Sequence, residues 1–157
     1  MPVPEVGKRA PSFALPGIPE GTYRLADYKG RFVVLYFYPK DNTPTCTDQA
    51  CSFRDNWKRL EKAGAVVLGI SADPPTKHVK FRDKFELPFP LLADEDHATC
   101  EKYGVWGEKQ LYGRTFLGIR RTTFLIDPEG KIAAVWENVR VKGHVEAILE
   151  KLEEVAA

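Results

Sequence analysis

The sequence predicts an α/β domain, a central mixed sheet with helices on both faces. Three observations carry this. Phe32 to Tyr38 is an unbroken apolar run rich in β-branched and aromatic residues, the pattern of a strand buried on both sides. Ala65 to Ile70 is a second such run, and a helical pattern separates the two. Thr122 to Ile126 and Lys131 to Trp136 flank Asp127-Pro128-Glu129-Gly130, which reads as a hairpin turn. Strands joined through helices run parallel and hairpin strands run antiparallel, so the sheet is mixed.

The elements follow in order. The first thirty residues carry turn signals at Pro11, Pro16-Gly17, Pro19, Gly21 and Gly30, around short pieces that fit a strand hairpin. Pro39 ends the central strand. Pro44 suits a first helical position, with Thr43 as its N-cap. Cys46, Ala50, Phe53, Trp57 and Leu60 recur at spacings of four, three, four and three, which puts them on one helical face, and Gly64 stops the helix. Pro75 to Phe85 reads as a helix, Leu91 to Ala93 as a short strand, and Asp94 to Tyr103 as a short helix ended by Gly104. Val105 to Gly118 reads as a long irregular connection. Gly143 to Val155 reads as a closing amphipathic helix with Val145, Ile148, Leu149 and Leu152 inward. Among small architectures the thioredoxin-like fold has this order, a step made by analogy.

Bulk composition bounds the function. Residues 1–157 read as a single domain, with no repeat and no Gly/Ser linker. Basic residues number 23 and acidic ones 22, so no basic excess points to nucleic acid. The longest apolar runs are near seven residues, against the ~20 of a membrane span. The first five residues lack the basic and hydrophobic parts of a signal peptide, so a cytoplasmic location is expected. Three cysteines, an odd and small number, argue against a structural disulfide framework.

Chemistry concentrates after the central strand. Cys46 falls in the first turn of a helix that starts at the strand's carboxyl end, where α/β ligand sites form. A helix N-terminus offers unpaired N–H groups and roughly half a positive charge, both of which favour thiolate, the reactive form. Thr43 lies one turn earlier, so its hydroxyl can approach the sulfur. The competing account is an inert cysteine filling the core face that it shares with Ala50 and Phe53.

The run from Phe37 through Pro39, Thr43 and Cys46 to Thr47 resembles the active-site signature of peroxiredoxins, Pro-x-x-x-Thr-x-x-Cys. Cys51, then Tyr103 to Lys109, then Arg121 to Asp127, resemble the peroxiredoxin Q branch, also called bacterioferritin comigratory protein. The resemblance spans about Gly7 to the final helix. It implies a thioredoxin-like fold and a thiol peroxidase that reduces hydrogen peroxide and alkyl hydroperoxides, with no metal or organic cofactor. It implies Cys46 as the peroxidatic cysteine, Thr43 and Pro39 as residues that contact and shield the reacting atoms, and Arg121 as the catalytic cation. It implies Cys51 as a resolving cysteine that forms an intramolecular disulfide, thioredoxin or a similar dithiol as reductant, and a monomer or weak homodimer. Where the family usually has Glu, this chain has Gln49, which can hydrogen-bond but is neutral.

Physical argument supports two of these roles. If Thr122–Ile126 runs antiparallel to Phe32–Tyr38, Arg121 arrives at the same sheet edge as Cys46; its neighbour Arg120 reads as a solvated charge. On an ideal helix the Cα atoms of residues five apart are ~8.7 Å apart, beyond the ~7 Å that a disulfide tolerates. A Cys46–Cys51 bond therefore requires the first turns to unwind, over about Thr43 to Arg54.

Other signals are weaker. Cys100 reads as structural or incidental, with an alternative resolving thiol or an intermolecular disulfide site as the competing readings. His97 with Cys100 gives too few ligands for zinc, and the acidic residues beside them read as a solvated helix start. His78 and His144 have no partner pattern and read as surface residues. Trp57 reads as core, and Trp106 as a residue of the site's rim. Two other functions compete. A thiol–disulfide oxidoreductase would normally carry Cys-x-x-Cys, which is absent, and a non-enzymatic protein would carry its cysteines incidentally.

Overall fold

The computed structural model of the chain describes residues 3–156. Strands β1 (Ala14–Ile18) and β2 (Gly21–Arg24) form an antiparallel hairpin, followed by a 3-10 turn at Leu25–Tyr28. Then come β3 (Phe32–Phe37), α1 (Pro44–Asp55), α2 (Trp57–Lys62), β4 (Ala65–Ser71) and α3 (Pro75–Phe85). The chain continues through β5 (Leu91–Ala93), α4 (Ala98–Lys102), β6 (Trp106–Leu111) and β7 (Arg114–Ile119). It ends with β8 (Thr122–Ile126), β9 (Ile132–Trp136) and α5 (His144–Ala156).

Seven strands form one sheet in the order β2-β1-β5-β4-β3-β8-β9. The apolar run predicted as central is central. β3 pairs parallel with β4, Phe37 opposite Ile70, and antiparallel with β8, Phe37 opposite Thr122. The second pairing brings the start of β8 to the carboxyl end of β3.

Alternation along β3 divides the core. Val34, Tyr36 and Tyr38 face Ala50 and Phe53 of α1, Leu60 of α2, Phe81 of α3 and Ile148 of α5. Val33, Leu35 and Phe37 face the other side, covered by Cys100 and Tyr103 around α4, Tyr28 of the 3-10 turn, and Ala10 and Phe13 of the N-terminal segment. Helices lie on both faces, as predicted, with the longer ones on one side. Phe53 locks α1 down: its ring stacks on Tyr36 at 4.7 Å between centroids and meets Phe89 edge-on at 6.1 Å. Burying such a side chain contributes roughly 1.5–3 kcal/mol.

Several features differ from the sequence reading. Asp94, read as part of a solvated helix start, is 1% exposed, and α4 covers only Ala98–Lys102. Three differences are larger. The predicted irregular connection is the β6–β7 hairpin, Trp106 opposite Ile119 and Leu111 opposite Arg114. It stands apart from the main sheet, with Tyr112 at its tip and Leu117 exposed. Most of β7 packs on neither face, so the alternation that marks a half-buried strand is missing. The helix read as continuous from Pro44 is interrupted at Asn56, with φ −109° and ψ 13°. Trp57, at the start of α2, is half-buried and packs against the core from its edge. The histidines read as surface residues are both buried, His78 completely and His144 to 6% exposure. Each is enclosed by residues distant in sequence.

Candidate active site

β3 delivers the chain to the sheet edge and the loop 38–43 turns it into α1. Asn42 takes left-handed angles (φ 62°), which Asn tolerates better than most residues. Thr43 is extended at the N-cap position, as predicted, and Pro44 opens the helix. Thr43 caps with its backbone: its carbonyl accepts the Thr47 N–H at 2.8 Å, while its hydroxyl donates to the Lys40 carbonyl at 3.0 Å. Pro44 has no N–H, and the N–H groups of Thr45 and Cys46 precede that first bond, so both remain open to an anion.

Cys46 sits on the buried face of α1, 1% exposed, beside Ala50 and Phe53. Arg121, immediately before β8, reaches it from the neighbouring strand. Nη2 of Arg121 donates to the Cys46 sulfur at 3.3 Å, and Nη1 donates to Oε1 of Gln49 at 2.6 Å. The Arg121 carbonyl accepts the Val139 N–H at 3.0 Å, which fixes the backbone behind the guanidinium. Gln49 is 1% exposed, and its Nε2 finds no partner among the described residues. The neutral amide thus does what a carboxylate would do for orientation and leaves the arginine's charge uncompensated.

Other cations border the site. Arg120 donates to the Gly104 carbonyl at 3.0 Å and props the end of the β6–β7 hairpin, a structural role unlike that of its neighbour. Lys109 of β6 donates to the Ile119 carbonyl at 2.9 Å; partial burial and the nearby Arg121 charge lower its pKa. The phenol of Tyr36, behind Cys46, is fully buried without a partner among the described residues, and burial pushes its pKa well up. Pro39 is half-buried at the end of β3.

The structure brings Cys46, Gln49 and Arg121 into one hydrogen-bonded cluster, with Thr43 and Pro39 in the loop that leads to it. Cys51 lies further along α1, half-buried, its pKa raised chiefly by burial, and all three cysteines are free thiols. Cys100 is not part of the site. It is fully buried on the opposite face of the sheet, burial raises its pKa strongly, and its backbone N–H donates to the Asp94 carboxylate at 2.7 Å. His97 stacks on Trp106 at 3.7 Å between ring centroids rather than joining Cys100. Among the described residues no three His, Cys, Asp or Glu side chains are grouped to hold a metal. No described helix is long and apolar enough to cross a membrane.

The chain is similar to known proteins over nearly its whole length. The profile of the AhpC/TSA family matches residues 6–135. Peroxiredoxin Bcp of Escherichia coli is 48% identical over 152 residues, and peroxiredoxin Bcp of Bacillus subtilis 45% identical over 152 residues, in each case covering 97% of both chains. The solved structure of Xanthomonas campestris peroxiredoxin Q superposes with a TM-score of 0.88 at 39% identity, over 92% of both chains. A bacterioferritin comigratory protein of the same organism, whose alkyl peroxide reduction was examined in trapped-intermediate complexes, superposes with a TM-score of 0.90 at 36% identity, covering 98% of this chain and 100% of that one. A cysteine at a helix start, an arginine on its sulfur and similarity over nearly the whole length lead to one conclusion: the chain belongs to the AhpC/TSA family, in its peroxiredoxin Q/Bcp branch, and is a thiol peroxidase.

Proposed function

We propose that this single domain reduces hydrogen peroxide and alkyl hydroperoxides through Cys46 and resolves the product with Cys51. The observation that carries the reading is the Arg121 N–H on the Cys46 sulfur at 3.3 Å, in the first turn of α1. The Cys46 thiolate attacks the distal oxygen of the peroxide. Its sulfur supplies the electron pair of the new S–O bond, the O–O bond breaks, and the leaving oxygen takes the proton of the attacked oxygen to depart as water or an alcohol, leaving a sulfenate that solvent protonates to the sulfenic acid. Arg121 and the open N–H groups of Thr45 and Cys46 oppose the negative charge that builds on the oxygens. The Thr43 hydroxyl spends its proton on the Lys40 carbonyl, so toward the site it can only accept, which suits the O–H of an incoming peroxide. Pro39 closes the pocket wall.

Cys51 then attacks the sulfenic sulfur, a disulfide forms and water leaves. Both cysteines lie within α1, so this step needs the helix to unwind. A thioredoxin-like dithiol reduces the exposed disulfide by exchange and is itself oxidised. The test compares wild type, Cys46→Ser and Cys51→Ser in peroxide consumption coupled to a thioredoxin system. Cys46→Ser is expected to lose activity, and Cys51→Ser to regain turnover when a small thiol is added. Mass spectrometry of the oxidised wild type should show a Cys46–Cys51 link. A stable sulfenic acid in the wild type would refute the resolving step.

A further inference from the structure

Beneath the loop that carries Thr43 lies a buried polar chain that the peroxide chemistry does not use. Asp41 accepts from the Tyr38 hydroxyl at 2.5 Å with one carboxylate oxygen and meets Nδ1 of His78 at 2.6 Å with the other. Its backbone N–H donates to Asp73 at 2.7 Å, and the Ser71 hydroxyl donates to that same Asp73 oxygen at 2.7 Å. His78, on α3, is completely buried, and its Nε2 lies 2.9 Å from the Leu92 carbonyl in β5.

The partners fix the protons. A carbonyl only accepts, so Nε2 carries a hydrogen. Nδ1 faces a carboxylate at a distance where two lone pairs would repel, so a second proton lies between His78 and Asp41. Whichever atom holds it, the pair has no net charge, which lowers the cost of burying it.

We propose that His78 is a positioning residue, which through Asp41 clamps the start of the Cys46 loop to α3 and β5 and thereby sets the balance between the folded and unwound forms of α1. This inference rests on the unwinding of the proposed function. Asp41 lies two residues before Thr43 and five before Cys46. The contact therefore limits how far unwinding spreads: while it holds, Asp41 stays pinned and only the chain beyond it opens, and where it is lost the whole loop is freed and the unwound form gains that added freedom. Its strength decides between two fates of the sulfenic acid. In the folded form a second peroxide transfers an oxygen to Cys46 and leaves as water or an alcohol, giving sulfinic acid. In the unwound form Cys51 reaches the sulfur first.

Two isosteres separate the contacts. In His78→Asn the amide nitrogen takes the place of Nδ1 and keeps the donor toward Asp41. In His78→Gln it takes the place of Nε2 and keeps the donor toward Leu92. Each loses one buried hydrogen bond, so a merely structural role predicts the same result for both. The readouts are the rate of Cys46–Cys51 disulfide formation after a peroxide pulse, followed by tryptophan fluorescence, and the sulfinic fraction of Cys46 at fixed excess peroxide, measured by mass spectrometry. His78→Gln should form the disulfide about tenfold faster than His78→Asn and yield correspondingly less sulfinic acid, the scale of one charge-assisted bond. His78→Asn should stay within about threefold of wild type. Equal values in the two variants overturn the proposal. Should His78→Gln not fold, amide exchange on the reduced wild type decides: the Asp41 N–H should exchange at least about tenfold more slowly than those of Thr47 to Cys51, and equal rates overturn it. A wild type that forms the disulfide while the variants behave alike defeats only the clamp. A wild type that forms no disulfide defeats the proposed function itself.

Discussion

Nη2 of Arg121 lies 3.3 Å from the sulfur of Cys46, although 75 positions separate the two residues in the chain. Antiparallel pairing of β3 with β8 makes the meeting possible, because it brings the start of one strand beside the end of the other. A guanidinium presents its donors in a rigid fork, and here the fork spans a sulfur and an amide oxygen. Arg121→Lys keeps the charge and loses the fork. We expect it to lower the second-order rate with hydrogen peroxide about a hundredfold, and Arg121→Ala by more, with far-UV circular dichroism unchanged. Stopped-flow kinetics on the first turnover measures this directly. A fall of less than threefold in Arg121→Ala would remove the arginine from the mechanism.

Gln49 orients that fork without neutralising it. Gln49→Glu preserves the acceptor and adds a buried negative charge opposite Arg121, and the peroxide rate is expected to change by less than about fivefold. Gln49→Leu leaves Nη1 without its acceptor in a closed site. That variant is expected to lose about 1–3 kcal/mol of stability in urea unfolding, with a larger drop in rate than Gln49→Glu. Equal rates in the two variants would mean that the amide carbonyl does not orient Arg121.

Asn42 holds the loop in the left-handed region just before the helix. Asn42→Gly fits those angles, whereas Asn42→Val pays for a β-branched side chain at positive φ, about 1–2 kcal/mol. The valine variant should unfold at lower urea than the glycine variant. It should also form the Cys46–Cys51 disulfide faster, since the strain is relieved when α1 opens.

His144 is buried where α5 begins, its Nε2 2.9 Å from the Thr123 hydroxyl. Burial, and secondarily the Arg121 charge, push its pKa down from 6.5 to about 4. The folded state therefore keeps the ring neutral while the unfolded chain takes up a proton below about pH 6.5. The stabilisation is complete above that pH, declines as pH falls, and is gone below about pH 4, a swing on the order of 3 kcal/mol. Urea midpoints at pH 7, 6 and 5 should fall in the wild type and flatten in His144→Gln. Parallel curves would assign the loss to other groups.

The strand, loop and helix around Cys46 were legible because their signals are local: an apolar run, a proline at the first helical position, a four–three spacing. Arg121 was legible only together with the likeness to a known family, since one charge before a strand looks like any other. His78 and His144 were misread for a physical reason. A histidine's burial depends on partners elsewhere in the chain, here Asp41 and Leu92 for the first and Thr123 for the second, and no periodicity records them. The β6–β7 hairpin escaped because Phe116 and Leu117, side by side, are both exposed, so its pattern does not alternate. The interruption at Asn56 escaped because the apolar face runs across it without a change of spacing.

That interruption has a consequence for recovery after each turnover. The backbone ladder crosses it, Asn56 N–H to the Ser52 carbonyl and the Leu60 N–H to the Asn56 carbonyl, while one residue departs from helical angles. Melting that spreads from the amino end loses its cooperativity at such a boundary. In the proposed cycle the turn beyond, joined to α5 through Arg59 and Glu146 at 2.6 Å, stays coiled. Reduction of the cysteines in that cycle lets α1 regrow residue by residue onto an existing seed, avoiding the nucleation penalty that a free dozen residues would face.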